Sequence, residues 1–77
     1  MINELEFKKV ISQYCKLDAE DISNDMRFRE DLEFSSLDFM SFLGELEDTF
    51  DLELEEEGAT QIFTVGQALD FLNNLED

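Results

Sequence analysis

An all-α bundle of three substantial helices and one short one is the fold this sequence predicts, on three observations. Apolar residues recur at helical spacing in three separate segments. Ser or Thr stands as a cap before two of them, and the 77 residues contain no Pro and only three Gly. A chain of this length makes one domain, residues 1–77, and leaves about 40% of its surface unburied. Eight Phe supply much of its core, because each ring buries a large area for few torsions.

Phe7, Val10, Ile11 and Tyr14 fall at i, i+3, i+4 and i+7 and predict the first helix. Cys15, next to Tyr14 and Leu17, reads as a small buried hydrophobe. It has no partner for a disulfide and no His to activate it, and a reducing compartment, the cytoplasm, suits it. From 16 to 34 the period is lost. Isolated Ile22, Phe28 and Leu32 among polar stretches such as DAEDISND predict a long loop pinned to the core by those three side chains.

The second helix is expected to start at Ser35, an N-cap with Asp38 three positions on as its capping-box partner. At about 100° per residue, Phe39, Phe42, Leu43, Leu46 and Phe50 share one arc, which must face the core. The opposite arc holds Leu37, Met40, Ser41, Gly44, Asp48 and Asp51, flanked by Asp38, Glu45 and Glu47. Next, EEEGATQIF allows only a short helical piece around Ala59 and Ile62, which Gly58 weakens by up to ~1 kcal/mol relative to Ala. In the last helix Thr64 and Gln67 make a second capping box, and Val65, Ala68, Leu69, Leu72 and Leu75 form the apolar stripe.

Charge is distributed one-sidedly. The formal net charge is −16, and all five bases (Lys8, Lys9, Lys16, Arg27, Arg29) lie in the first 29 positions beside six acids. Residues 30–77 hold the other fifteen acids and no base. Such a field repels nucleic acid and anionic lipid and steers basic protein surfaces inward. No apolar run approaches the ~20 residues of a membrane span, and the segment MINELEFKKV lacks the apolar stretch of a secretion signal.

Catalysis finds no support. Without His there is no Ser-His or Cys-His nucleophile and no Cys/His metal site. DLELEEEG lacks the alternating acid ligands of an EF-hand loop, so no specific metal site is expected. What remains is Ser36, which follows a long loop and opens an acidic amphipathic helix. An anionic group attached there would meet free backbone N–H groups and the positive end of the helix dipole. Taken alone, a Ser-Ser pair before a helix reads as a cap.

The run EDLEFSSLDFMSFLGELEDTFDLELEEE resembles the central region of acyl carrier proteins, whose signature is a Glu-Asp-Leu stretch, a D-S-L serine motif and an acidic helix ending in E-x-x-F-D. The resemblance extends to the Phe7–Tyr14 segment, to Phe28-Arg29-Glu30-Asp31-Leu32, and to Ile62-Phe63-Thr64-Val65 with Ala68, Leu69 and Asp70. It implies a non-enzymatic, monomeric carrier domain bearing 4′-phosphopantetheine, transferred from coenzyme A onto the serine before Leu-Asp, here Ser36. Two positions depart from the pattern: Ser35 replaces the usual Asp, and Glu33-Phe34 replace a small Gly-Ala pair, so the local loop must pack differently.

The resemblance also implies a role for the outward face of the second helix. Leu37, Asp38, Met40, Glu47, Asp48 and Asp51 would dock basic surfaces of partners: a phosphopantetheinyl transferase, a loading ligase for acyl or aminoacyl groups, a ketosynthase or an acyltransferase. The alternatives are a plain solvated face or an acidic protein–protein interaction module without a prosthetic group. Fatty-acid synthesis, polyketide or peptide assembly, lipid modification and D-alanyl transfer all use such carriers. Some shelter an acyl chain between the second and third helices. Phe39, Phe42, Phe63 and Phe71 are expected to shorten or abolish such a pocket here.

Overall fold

The computed structural model describes residues 2–76. Among them are four α-helices, α1 Glu4–Ser12, α2 Ser36–Phe50, α3 Glu56–Ala59 and α4 Val65–Glu76, with a 3-10 turn at Ala19–Asp21. No strand occurs among the described residues, only an isolated antiparallel bridge between Arg27 and Thr64. Nor, among them, is any helix long and apolar enough to cross a membrane. The expected three long helices and one short one are all present.

Asn3 starts α1 by accepting the Glu6 N–H on its side-chain oxygen at 3.1 Å. The helix stops at Ser12, whose hydroxyl donates back to the Lys9 carbonyl at 2.7 Å. Tyr14, which its spacing places on the helix, therefore lies two residues past its end. Its ring still reaches the core, with centroids 5.9 Å from Phe34 and 6.2 Å from Phe42.

Phe42 is the centre of that core. It is fully buried, and the rings of Phe7, Phe28, Phe34 and Phe39 also lie 5.4 to 6.2 Å from it. Leu43 and Leu46 continue the buried face of α2, while Phe39 and Phe50 are half-buried at its edges. On α4 the buried stripe is Val65, Ala68 and Leu72, with Leu69 half-buried; Leu75 is 40% exposed, so the stripe ends one turn early.

The segment between α1 and α2 is ordered by what it covers. Ile22, Phe28 and Leu32 are buried as their isolation among polar residues predicts, and Phe34 joins them. The backbone of this segment runs onto the start of α4. Phe28 N–H donates to the Phe63 carbonyl at 3.0 Å, Val65 N–H to Met26 at 3.0 Å and Gly66 N–H to Asn24 at 2.8 Å.

Gly58 has a packing reason to be Gly. A Cβ built there would stand 2.6 Å from Phe71 Cε2, so the ring packs where a side chain would begin. Helix propensity alone would make Gly58→Ala stabilising by about 1 kcal/mol. The displaced ring should cancel that gain, and a thermal melt of the variant should show no rise in Tm.

Candidate functional site

Ser35 and Ser36 are adjacent hydroxyls with separate tasks. Ser35 Oγ accepts the Asp38 N–H at 3.1 Å, and Asp38 Oδ2 accepts the Ser35 N–H at 3.1 Å, completing the capping box. Ser36 is thereby the first residue of α2, with an exposed side chain. The N–H groups of this first turn have no carbonyl within the helix to meet and carry the positive end of its dipole.

A cation completes the site. Arg29 Nη2 donates to Ser36 Oγ at 2.9 Å. Nothing in the periodicity indicates this contact. The only signal in the sequence is that the bases end at Arg29, seven residues before Ser36. Arg27 is committed elsewhere: its Nε lies 2.9 Å from Glu30 Oε2 and 3.4 Å from Asp31 Oδ2.

Asp31 organises the turn that presents these arginines, accepting the Arg27 backbone N–H at 2.7 Å. That bond, followed by the Arg27 guanidinium, holds the Asp31 carboxyl below its ordinary value. A carboxyl lowered in the folded state contributes stability above its unfolded pKa, about 3.9, and loses it as pH falls through the folded value. Asp31→Asn should therefore melt below the wild type at pH 7, with the gap narrowing as the pH falls below the unfolded value and toward the lowered folded one.

Glu33 departs from glycine in side chain only. Its φ of 60° is left-handed, so the backbone takes the conformation a Gly would supply, while Phe34 turns inward and packs against Phe28 with ring centroids 5.3 Å apart and planes tilted by 60°. Glu33→Gly should relieve that strain and raise stability by up to ~1 kcal/mol in a urea titration.

Beside Ser36 lies a cavity of about 690 Å³, walled by Phe28, Phe34, Phe39, Leu43, Ile62 and Phe63 and lined also by Arg29, Met40 and Ser36. The aromatic residues do not abolish the pocket. Phe42 is sunk entirely in the core and Phe71 packs beside Gly58 in a separate recess, while Phe39 and Phe63 stand as walls.

The outward face of α2 divides in two. At the Ser36 end, Leu37 is 80% and Met40 52% exposed, with Phe63 nearby on the cavity wall at 64%. Glu47, Asp48 and Asp51 lie at the other end, about 16 Å along the axis. Asp48 and Asp51 are exposed. Asp38 and Glu47 are half-buried and already bonded to backbone: Asp38 in the cap, Glu47 through the Leu54 N–H at 3.2 Å.

A family model described as the phosphopantetheine attachment site matches residues 6–72. An acyl carrier protein of Buchnera aphidicola subsp. Schizaphis graminum (strain Sg) is 35% identical over 71 residues, covering 92% of this chain and 90% of that protein. Among solved structures, a proposed acyl carrier protein from Mycobacterium tuberculosis superposes with a TM-score of 0.85 at 28% identity, covering 92% of this chain and 95% of that one. An acyl carrier protein from Enterococcus faecalis, described as having high thermal stability, gives 0.78 at 32% identity, covering 92% of this chain and 90% of that one.

Proposed function

Because this chain belongs to the acyl carrier proteins, the family of the phosphopantetheine attachment site, we propose that Ser36 is where the arm is attached and that the chain presents acyl or aminoacyl cargo to biosynthetic enzymes. Proteins of this family are carriers, not enzymes, and bear 4′-phosphopantetheine covalently. The observation that carries the Ser36 assignment is the division of labour between the two serines: one hydroxyl is consumed by the cap and the other is exposed at the first turn.

The residues present fit the group. A phosphodiester on Ser36 Oγ would face open N–H groups of the first turn and the Arg29 guanidinium, and the cavity beside Ser36 lies within reach of a flexible chain. Attachment forms an Oγ–P bond and breaks the pyrophosphate bond of coenzyme A, releasing the nucleotide bisphosphate and the serine proton; a separate transferase supplies the catalysis. When bound, the arm contributes a terminal thiol that holds cargo as a thioester.

The chain's own residues do the rest. Asp38 and Ser35 fix the start of α2, Arg29 adds positive charge at its root, and the aromatic walls offer apolar cargo a place out of water. Leu37 and Met40, exposed at the Ser36 end of α2, form a small apolar anchor for basic enzyme surfaces, with Asp48 and Asp51 steering from the far end of the helix. Glu47 and Asp38 add charge while keeping their backbone bonds. In this reading residues 1–77 are a single carrier domain working as a monomer in the cytoplasm.

Incubation with coenzyme A and a broad-specificity phosphopantetheinyl transferase tests the reading. Intact mass should rise by one phosphopantetheine. No gain in the presence of an active transferase would leave only an acidic docking module.

A further inference from the structure

We infer that Arg29 holds the phosphodiester at the root of the arm, so that the arm leaves Ser36 directed rather than free; this rests on Ser36 being the attachment site. Four observations carry it. Arg29 Nη2 is already within 2.9 Å of the oxygen that would become the ester oxygen. Esterification removes the hydroxyl proton and places two non-bridging oxygens, sharing one negative charge, two bonds further out, where a guanidinium can take both in its planar fork.

The second observation is that Arg29 is uncommitted. Arg27, two residues earlier, spends its guanidinium on Glu30 and Asp31, whereas Arg29 makes no ion pair among the described residues. The third is the surrounding field. From Glu30 onward the chain has fifteen acids and no base, so a new anion at Ser36 would otherwise be repelled. Of the two arginines on the cavity wall, Arg29 is the one free to offset that repulsion.

The fourth is position. Arg29, Ser36 and Met40 line the same cavity as Phe39 and Phe63. A phosphate tied to Arg29 keeps the first atoms of the arm beside that cavity. Arg29 thus acts as a positioning residue: it sets where the arm starts, and its charge is screened by salt as an exposed pair should be.

The test uses the full chain converted to the holo form and checked by mass. The side-chain N–H signals of Arg29 in ¹H–¹⁵N spectra should shift between apo and holo protein, while those of Arg27 stay in place. The ³¹P line of holo protein should be narrower in Arg29→Gln than in the wild type, with Arg29→Lys between them. Unmoved Arg29 signals, or equal ³¹P line widths in wild type and Arg29→Gln, would overturn the inference while leaving Ser36 as the attachment site. A chain that never gains the arm overturns the Ser36 reading, and this inference with it. The apo–holo comparison needs no variant, so a folding defect in either substitution does not affect it.

Discussion

Phe42→Ala should leave little native protein at 25 °C. Phe42 is wholly buried, and five other aromatic rings lie 5.4 to 6.2 Å from it, drawn from α1, from the segment after it and from α2 itself. Truncating such a residue costs about 3–5 kcal/mol, because the cavity left behind cannot fully collapse. Domains as small as this one sit near the low end of a total stability of about 5–15 kcal/mol. Urea unfolding followed by circular dichroism should show loss of most of the pre-transition baseline. A variant within about 1 kcal/mol of the wild type would mean that this cluster does not hold the helices together.

Ser36→Ala should abolish attachment of the arm, an all-or-none effect on function, with almost no effect on the fold. The side chain is exposed and caps nothing. Ser35→Ala should behave in the opposite way: it keeps the nucleophile but loses the bond to the Asp38 N–H, costing roughly 1 kcal/mol. Parallel mass and melting measurements on the two variants separate the roles. If Ser35→Ala lost the arm while keeping its stability, the division of labour between the serines would be reversed.

What could be read from the sequence was what is local. Both capping boxes, Ser35 with Asp38 and Thr64 with Gln67, form as their spacing predicts, because each closes within one turn. The buried face of α2 follows from its period. So does Leu37 and Met40 facing outward.

The parts that were not legible depend on the long segment between α1 and α2. Arg29 reaches Ser36 only because the chain turns back through a left-handed Glu33, a conformation that no side-chain pattern announces. The aromatic walls of the cavity are a similar case. Composition shows that Phe39 and Phe63 are present. Whether they fill the space or line it depends on how Phe28 and Phe63 are joined by a backbone hydrogen bond between residues 35 apart in the chain. Tyr14 shows the same limit: its spacing puts it on α1, yet Ser12 ends the helix and the ring reaches the core from outside it.

The most direct measurement is fragment-ion mass spectrometry of the transferase-treated wild-type chain, locating the arm among the hydroxyls of the peptide that spans the start of α2. The arm should be found on Ser36 and nowhere else. Finding it on Ser35, or finding the peptide unmodified after treatment that modifies a known carrier, would contradict the account.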